Sequence, residues 1–293
     1  MTAAVDALAE AIGRARGTRF RPVRVEAVHG GDISRAYRLD DGATRYFAKT
    51  QPAARLAWFE AEADGLAELA AAGAVRVPAV VGHGVAAGLA YLVLEYLHLQ
   101  PHGDAAALGR QLARQHQTSA AAFGGARDNW IGATPQPNGW HADWIDFWRE
   151  RRLGPQLKLA AENGYGGALQ RDGAALLAGL GAFFDGYAPA PSLLHGDLWG
   201  GNHGFLADAT PVLFDPAVYF GDRECDLAMS ELFGGYAPAF YAAYREAWPL
   251  DPGYGVRRTL YNLYHVLNHA NLFGGGYAAQ AARMAAQLLA QIR

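Results

Sequence analysis

The chain has 293 residues, of which 51% are apolar, 18% charged and 12% aromatic, which fits a folded globular protein and excludes a disordered one. A net charge of −3 gives no basic surface for nucleic acid, and the single cysteine, Cys225, excludes an internal disulfide. Asp6 and Glu10 are wrong for a secretory signal, and the most apolar region, 75–97, is broken by Pro78, His83 and Glu95, so no membrane partner and a cytoplasmic location are expected.

Residues 2–16 carry Val5, Leu8 and Ile12 at helical spacing and predict a short leading helix. Residues 24–28 alternate as a strand, 30–34 form a tight turn, 36–39 a second strand, 40–42 a hairpin turn and 45–49 a third strand. Gly30, Gly31 and Asp32 are candidates to face a nucleotide, because glycines let backbone N–H groups approach phosphate oxygens. The turn matches neither G-x-x-x-x-G-K-[ST] nor G-x-G-x-x-G, so a plain hairpin is the alternative.

Lys49 is expected to end the third strand. Only Lys49 and Lys158 are lysines among 25 basic residues. A chain that writes arginine nearly everywhere needs an ammonium at 49, where it would reach the α- and β-phosphates of a nucleotide. In the helix expected from about Ala53, Glu62, Leu66 and Leu69 share one face, so Glu62 points inward as the partner of Lys49 and Glu60 points elsewhere. An outward surface charge is the alternative. Residues 77–81 and 89–94 complete a five-stranded antiparallel sheet with one helix. Glu95 and Leu97, in the stretch that leads out of it, are candidates to hold adenine through their backbone groups; an edge-strand charge is the alternative for Glu95.

From Asp104 the pattern turns helical, with Leu108, Leu112, Ala113 and His116 along one side. Residues 128–140 read as an irregular loop. Trp140, Trp144 and Trp148 form a stripe that reads as core, Arg149, Arg151 and Arg152 as a solvated cluster, and 174–187 as another helix. Then come His195, Asp197 and Asn202 at the spacing H-x-D-x-x-x-x-N, with Asp215 further on in Phe214-Asp215-Pro216. This is the layout of the catalytic loop and metal-binding aspartate of kinase-like phosphotransferases. Phosphoryl transfer needs Mg²⁺, which takes hard oxygen ligands, and Asn202 and Asp215 supply them. Asp197 supplies a carboxylate to accept the proton of an attacking hydroxyl. Taken singly, each could be a turn residue. Asp226 opens a helix and could cap it, and Gly234-Gly235 ends that helix. His265 and His269 stand at i,i+4, but with no glutamate beside His265 and no evident third ligand they do not read as a zinc site.

Several stretches together resemble the fructosamine kinase (ketosamine-3-kinase) family. They are Gly30–Ser34, Tyr46–Lys49, Trp130-Ile131-Gly132 with Gln136-Pro137-Asn138, His195–Gly204, Phe214–Asp226, Glu231–Gly235 and Asn268-His269 to Gly275. The resemblance implies an α+β, two-lobed protein-kinase-like fold related to the aminoglycoside phosphotransferases. Its N-terminal nucleotide-binding lobe (1–96) is a five-stranded antiparallel sheet plus helix, and its C-terminal catalytic and substrate lobe (97–293) is mainly helical. It implies ATP and Mg²⁺, and phosphorylation of ketosamines, free or protein-bound, at O3 of the sugar. The product eliminates and releases the amine, so the reaction is protein deglycation. Carried over by motif, Asp197 is the base, Asn202 and Asp215 hold Mg²⁺, and Lys49 with Glu62 positions the phosphates. Trp199 and His269 are candidates for the sugar groove, and Asp222 and Asp226 are candidates to brace the loop. Where some relatives have a redox-active cysteine in the glycine turn, this chain has Asp32, so that switch is not expected, and Cys225 reads as a packing residue. The alternatives are a kinase of an aminoglycoside, choline or homoserine, and an inactive nucleotide-binding module. The sequence leaves the oligomeric state open, a monomer included.

Overall fold

The computed structural model describes residues 2–28 and 34–292, so Gly30, Gly31 and Asp32 lie outside the described residues. The chain divides into two compact units, Met1–Asp104 with Gly204–Pro216, and Ala105–His203 with Ala217–Arg293. The units therefore differ from a division at 96/97. The first unit runs on to Asp104 and takes back Gly204–Pro216, for reasons visible in the backbone. Gln100 and Phe205 exchange N–H···O bonds of 2.7 and 2.9 Å, and the Leu213 N–H donates to the Arg76 carbonyl at 2.9 Å. This recaptured segment carries Asp215.

In the first unit, helix α1 (Thr2–Arg16) precedes strands β1 (Arg24–Val28), β2 (Arg35–Asp40) and β3 (Arg45–Pro52), helix α2 (Leu56–Ala72), and strands β4 (Val80–Ala86) and β5 (Leu89–Glu95). The strands form one five-stranded antiparallel sheet in the order β1-β2-β3-β5-β4. Leu8 and Ile12 of α1 pack with Leu39, Tyr46, Ala48 and Val93. Because side chains alternate along a strand, burial of Tyr46 and Ala48 against α1 sends Lys49 to the opposite face. Two strand boundaries differ from expectation. Lys49 does not end β3: Thr50, Gln51 and Pro52 still pair with Tyr91, Ala90 and Leu89. Nor do Val77 and Pro78 belong to β4, which starts at Val80; Ala79, just before it, is tied instead to Glu95. Helix α2 ends at Gly73 in a left-handed cap (φ 63°) whose N–H donates to Ala70.

The second unit is mainly helical. Helix α3 (Ala105–His116) buries Leu108, Leu112, Ala113 and His116, as its periodicity predicts. Residues 128–140 are not structureless: Asn129–Ile131 and Thr134–Gln136 pair as a short antiparallel ribbon. Helix α4 (Trp144–Phe147) continues through a π turn (Trp148–Leu153) into α5 (Gly154–Glu162). Trp144 and Trp148 are core, but Trp140 precedes the helix and is exposed.

Arg152 is not part of a solvated cluster. It is fully buried, donates to the Pro137 carbonyl (2.7 Å) and Asn138 Oδ1 (2.6 Å), and lies over the rings of Phe147 and Tyr219. Helix α6 (Ala168–Gly179) starts earlier than expected and gives way to a 3₁₀ turn, Leu180–Phe184. Helices α7 (Glu224–Leu232), α8 (Pro238–Ala247), α9 (Tyr254–Phe273) and α10 (Tyr277–Gln291) follow. The core gathers on α9, where Leu260, Tyr261, Leu263, Tyr264, Val266 and Leu267 meet Trp148, Ala281, Ala285 and Leu288. Each large apolar side chain buried there contributes about 1.5–3 kcal/mol. Cys225 sits in the same cluster as a packing residue.

Candidate active site

Within the first unit, Lys49 is the meeting point. Its Nζ lies 2.8 Å from Glu62 Oε1 and 2.5 Å from Asp215 Oδ1. Glu62 reaches it because Leu66 and Leu69, on the same face of α2, are buried against the sheet. Burial works against the charge of Lys49, but Asp215 and Glu62 outweigh it and hold the ammonium above its ordinary range. Glu62 is pushed up, chiefly by burial and against the pull of Lys49, with Asp215 adding a second negative charge nearby. One ammonium thus serves two carboxylates. Asp215 also has a left-handed backbone (φ 56°) immediately before Pro216. Aspartate tolerates this conformation better than most residues, and a following proline disfavours the α region. Such a backbone is a local cost of the kind that collects at working sites.

Glu95 has a clear structural job. Its carboxylate pairs with Arg76 and accepts the Ala79 N–H at 3.1 Å, while its own N–H donates to the Ala79 carbonyl at 2.9 Å. Its N–H is therefore committed, which narrows an adenine contact at Glu95 to the carbonyl, beside Leu97.

Asp197 and Asn202 lie in the second unit. Asn202 Nδ2 donates to the Asp197 backbone oxygen (2.9 Å) and to Asp197 Oδ2 (3.1 Å), and the Asp197 N–H donates to His195 Nδ1 at 3.3 Å. The Oδ1 of the same amide is the atom a metal would take. The loop is braced from below by Asp226, which does not cap its own helix. Its carboxylate accepts the His195 N–H (2.7 Å) and the Gly196 N–H (2.9 Å). Burial alone would raise the Asp226 carboxyl, but His116 and these donors hold it below the ordinary range. Asp222 is also buried and braces other parts, accepting from Tyr187 (3.0 Å) and Tyr261 (2.5 Å).

Gly196 cannot be another residue. Its φ is 82°, and a Cβ there would overlap the Ala217 carbonyl, whose own N–H is bonded to His195. Gly196→Ala is expected to cost at least about 1–3 kcal/mol of stability, since no rotamer relieves a clash with backbone. Thermal unfolding checks this; an unchanged Tm would refute the fit.

Trp199 and His269 are brought into one aromatic cluster by a residue the sequence reading passed over. The Phe233 ring lies 6.3 Å from Trp199 and 4.7 Å from His269. Tyr236 joins it by donating to the Trp199 carbonyl at 3.0 Å. The sign was in the sequence, since Phe233 and Tyr236 flank Gly234-Gly235. His269 Nδ1 is bonded to the His265 carbonyl at 2.8 Å, which occupies one of its two ring nitrogens.

Burial, and then the neighbouring His269, push the buried His265 down to about 3. A base whose pKa is lowered by folding stabilises the fold above its unfolded pKa and loses that contribution as pH falls. Stability is therefore expected to drop by up to about 1.4 kcal/mol per unit between about pH 6.5 and 3. Denaturant titrations across that window check this, and His265→Gln should flatten the slope.

The sequence model of the fructosamine kinase family matches residues 4–291. A protein described as a probable ketoamine kinase, from Synechocystis, is 46% identical over 285 residues, 96% of either chain. The chloroplastic protein-ribulosamine 3-kinase of Arabidopsis thaliana is 39% identical, over 90% of this chain and 82% of its own. A solved structure provisionally assigned as a fructosamine-3-kinase, from Haemophilus somnus, superposes with a TM-score of 0.89 at 30% identity, covering 97% of both chains.

Proposed function

The chain belongs to the fructosamine kinase family, and from that premise we propose how its residues carry out the ATP-dependent phosphorylation of ketosamines. The hydroxyl at O3 of the sugar gives its proton to Asp197 as it attacks the γ-phosphorus of ATP, whose bond to the bridging oxygen of the β-phosphate breaks so that ADP leaves. Asn202 fixes the carboxylate for this step through its bond to Oδ2. Lys49 holds the α- and β-phosphates and is itself held by Glu62. Trp199, Phe233 and His269 form the apolar wall for the sugar. The Glu95 carbonyl and Leu97 take the adenine. The 3-phosphate then loses inorganic phosphate by elimination, and hydrolysis by water of the imine that remains frees the amine, so the outcome is deglycation of amines and proteins.

Mg²⁺ fits the donors present. Asn202 offers an amide oxygen and Asp215 a carboxylate, and this ion keeps most of its shell as water and phosphate, needing only one or two side chains. When bound it would neutralise phosphate charge.

The single observation that carries this reading is the contact of Lys49 with Asp215, 166 positions away in the chain. A binding-only module has no use for a base such as Asp197. An aminoglycoside, choline or homoserine kinase would share the scaffold but not the full-length match to ketoamine kinases. ADP release with ribulosyl-lysine and fructosyl-lysine tests the proposal. Turnover on an aminoglycoside with none on either ketosamine would overturn it.

A further inference from the structure

We infer that Arg223, Tyr244 and His116 form a directional hydrogen-bond relay that positions the catalytic loop through Asp226, with His116 held as the neutral Nε2–H tautomer. The inference rests on the reading of residues 195–202 as that loop. Direction follows from donor chemistry. A guanidinium can only donate, and Arg223 Nη1 lies 3.2 Å from the Tyr244 hydroxyl oxygen. That oxygen accepts from Arg223, and its one proton points to His116 Nδ1 at 2.8 Å. Nδ1 is then the acceptor, and the ring proton sits on Nε2, 3.1 Å from Asp226 Oδ2. Asp226 ends the chain and accepts the His195 and Gly196 N–H groups from the loop.

Burial makes the relay more than a row of contacts. His116 and Tyr244 are fully buried, Asp226 is 2% exposed and Arg223 6%. Arg223 also donates to the Trp248 (3.0 Å) and Pro249 (2.5 Å) carbonyls and stacks on Trp248. Among the described residues no carboxylate lies within ion-pair reach of it. A buried cation and a buried anion thus stand at opposite ends of one chain, with a tyrosine and a histidine between them. Out of water, such a chain polarises each of its bonds and strengthens the last one. His116 comes from α3, Asp226 from α7 and Tyr244 from α8, so three helices set the orientation of one carboxylate. Arg223, Tyr244 and His116 are positioning residues for Asp197, acting through Asp226.

Tyr244→Phe keeps the ring and removes the hydroxyl. Its kcat is expected to fall about tenfold or more, the equivalent of one bond in a charged chain, with KM for ATP within about twofold of wild type. In ¹⁵N spectra the wild-type His116 ring is expected as the Nε2–H tautomer, and Tyr244→Phe to lose that signature. Tyr187→Phe is the control. It removes another buried hydroxyl, one that serves Asp222, and should lower Tm while leaving kcat in place. Wild-type kcat in folded Tyr244→Phe, an imidazolium or Nδ1–H ring in the wild type, or an equal kcat loss in the control would each overturn the relay. The tautomer readout needs no turnover, so an absence of ketosamine phosphorylation would sink the catalytic reading and leave this test standing.

Discussion

Asp197→Asn is expected to lower kcat by about 10²–10⁴ while ATP affinity and Tm stay near wild type. The substitution changes little but the basicity of one group. Asn202 Nδ2 donates to an oxygen of the 197 side chain, and an amide still offers one. The loop keeps its anchors, because His195 and Gly196 are held by Asp226 through their backbone N–H groups. Of the groups assigned to the nucleotide and its metal, Lys49, Glu62 and Asp215 belong to the other compact unit, and Asn202 keeps its bond to the residue-197 backbone carbonyl. What is lost is the acceptor for the O3 proton, which is needed only as the hydroxyl attacks. The effect should therefore fall on kcat and not on KM for ATP. Single-turnover rates with a ribulosyl-lysine substrate, set beside calorimetric ATP binding, separate the two. A rate within about tenfold of wild type removes Asp197 from the role of base.

Legibility in the sequence follows the range of the interactions. The strands of the sheet could be read because each is a short local run set off by turn residues, and the facing of Glu62 because Leu66 and Leu69 share its side of a helix. The contacts of Lys49 with Asp215 and of Asp197 with Asn202 were open to expectation despite their spread in the chain, because phosphate chemistry restricts which residue types can serve. The misreadings share a different cause. The ribbon at 129–136 has three-residue strands too short for a pattern, and it is pinned by Gln136 and Asn129 to the carbonyls of Ala217 and Val218. Arg152 looked solvated because its neighbours in sequence are charged, yet what buries it is the ring of Tyr219 and the backbone of Pro137. The bond between His116 and Tyr244 joins residues 128 positions apart and leaves no local trace. Polar groups satisfied by distant partners are the ones that composition and periodicity misplace.

Lys49→Arg is expected to be nearly as damaging as Lys49→Ala, with kcat/KM for ATP lower by about 10²-fold or more, the scale of one lost electrostatic contact to the reacting phosphates. The compositional bias does not carry this alone, because the other lysine, Lys158, is an exposed surface residue 3.9 Å from Glu162. Geometry carries it. The Lys49 ammonium has Glu62 at 2.8 Å and Asp215 at 2.5 Å, and its side chain is only 10% exposed. A compact ammonium can turn three donors toward acceptors in different directions, whereas a guanidinium is larger and directs its donors within one plane. Facing Glu62 with that fork turns it from Asp215, and the sheet leaves little room for the added atoms. The left-handed backbone of Asp215 sharpens the point, since a residue held at φ 56° before a proline has little freedom to follow a displaced partner. Kinetics and thermal unfolding of the three proteins decide between a charge requirement and a shape requirement. If Lys49→Arg retains activity within about fivefold of wild type, positive charge alone suffices at this position and the ammonium-specific reading fails.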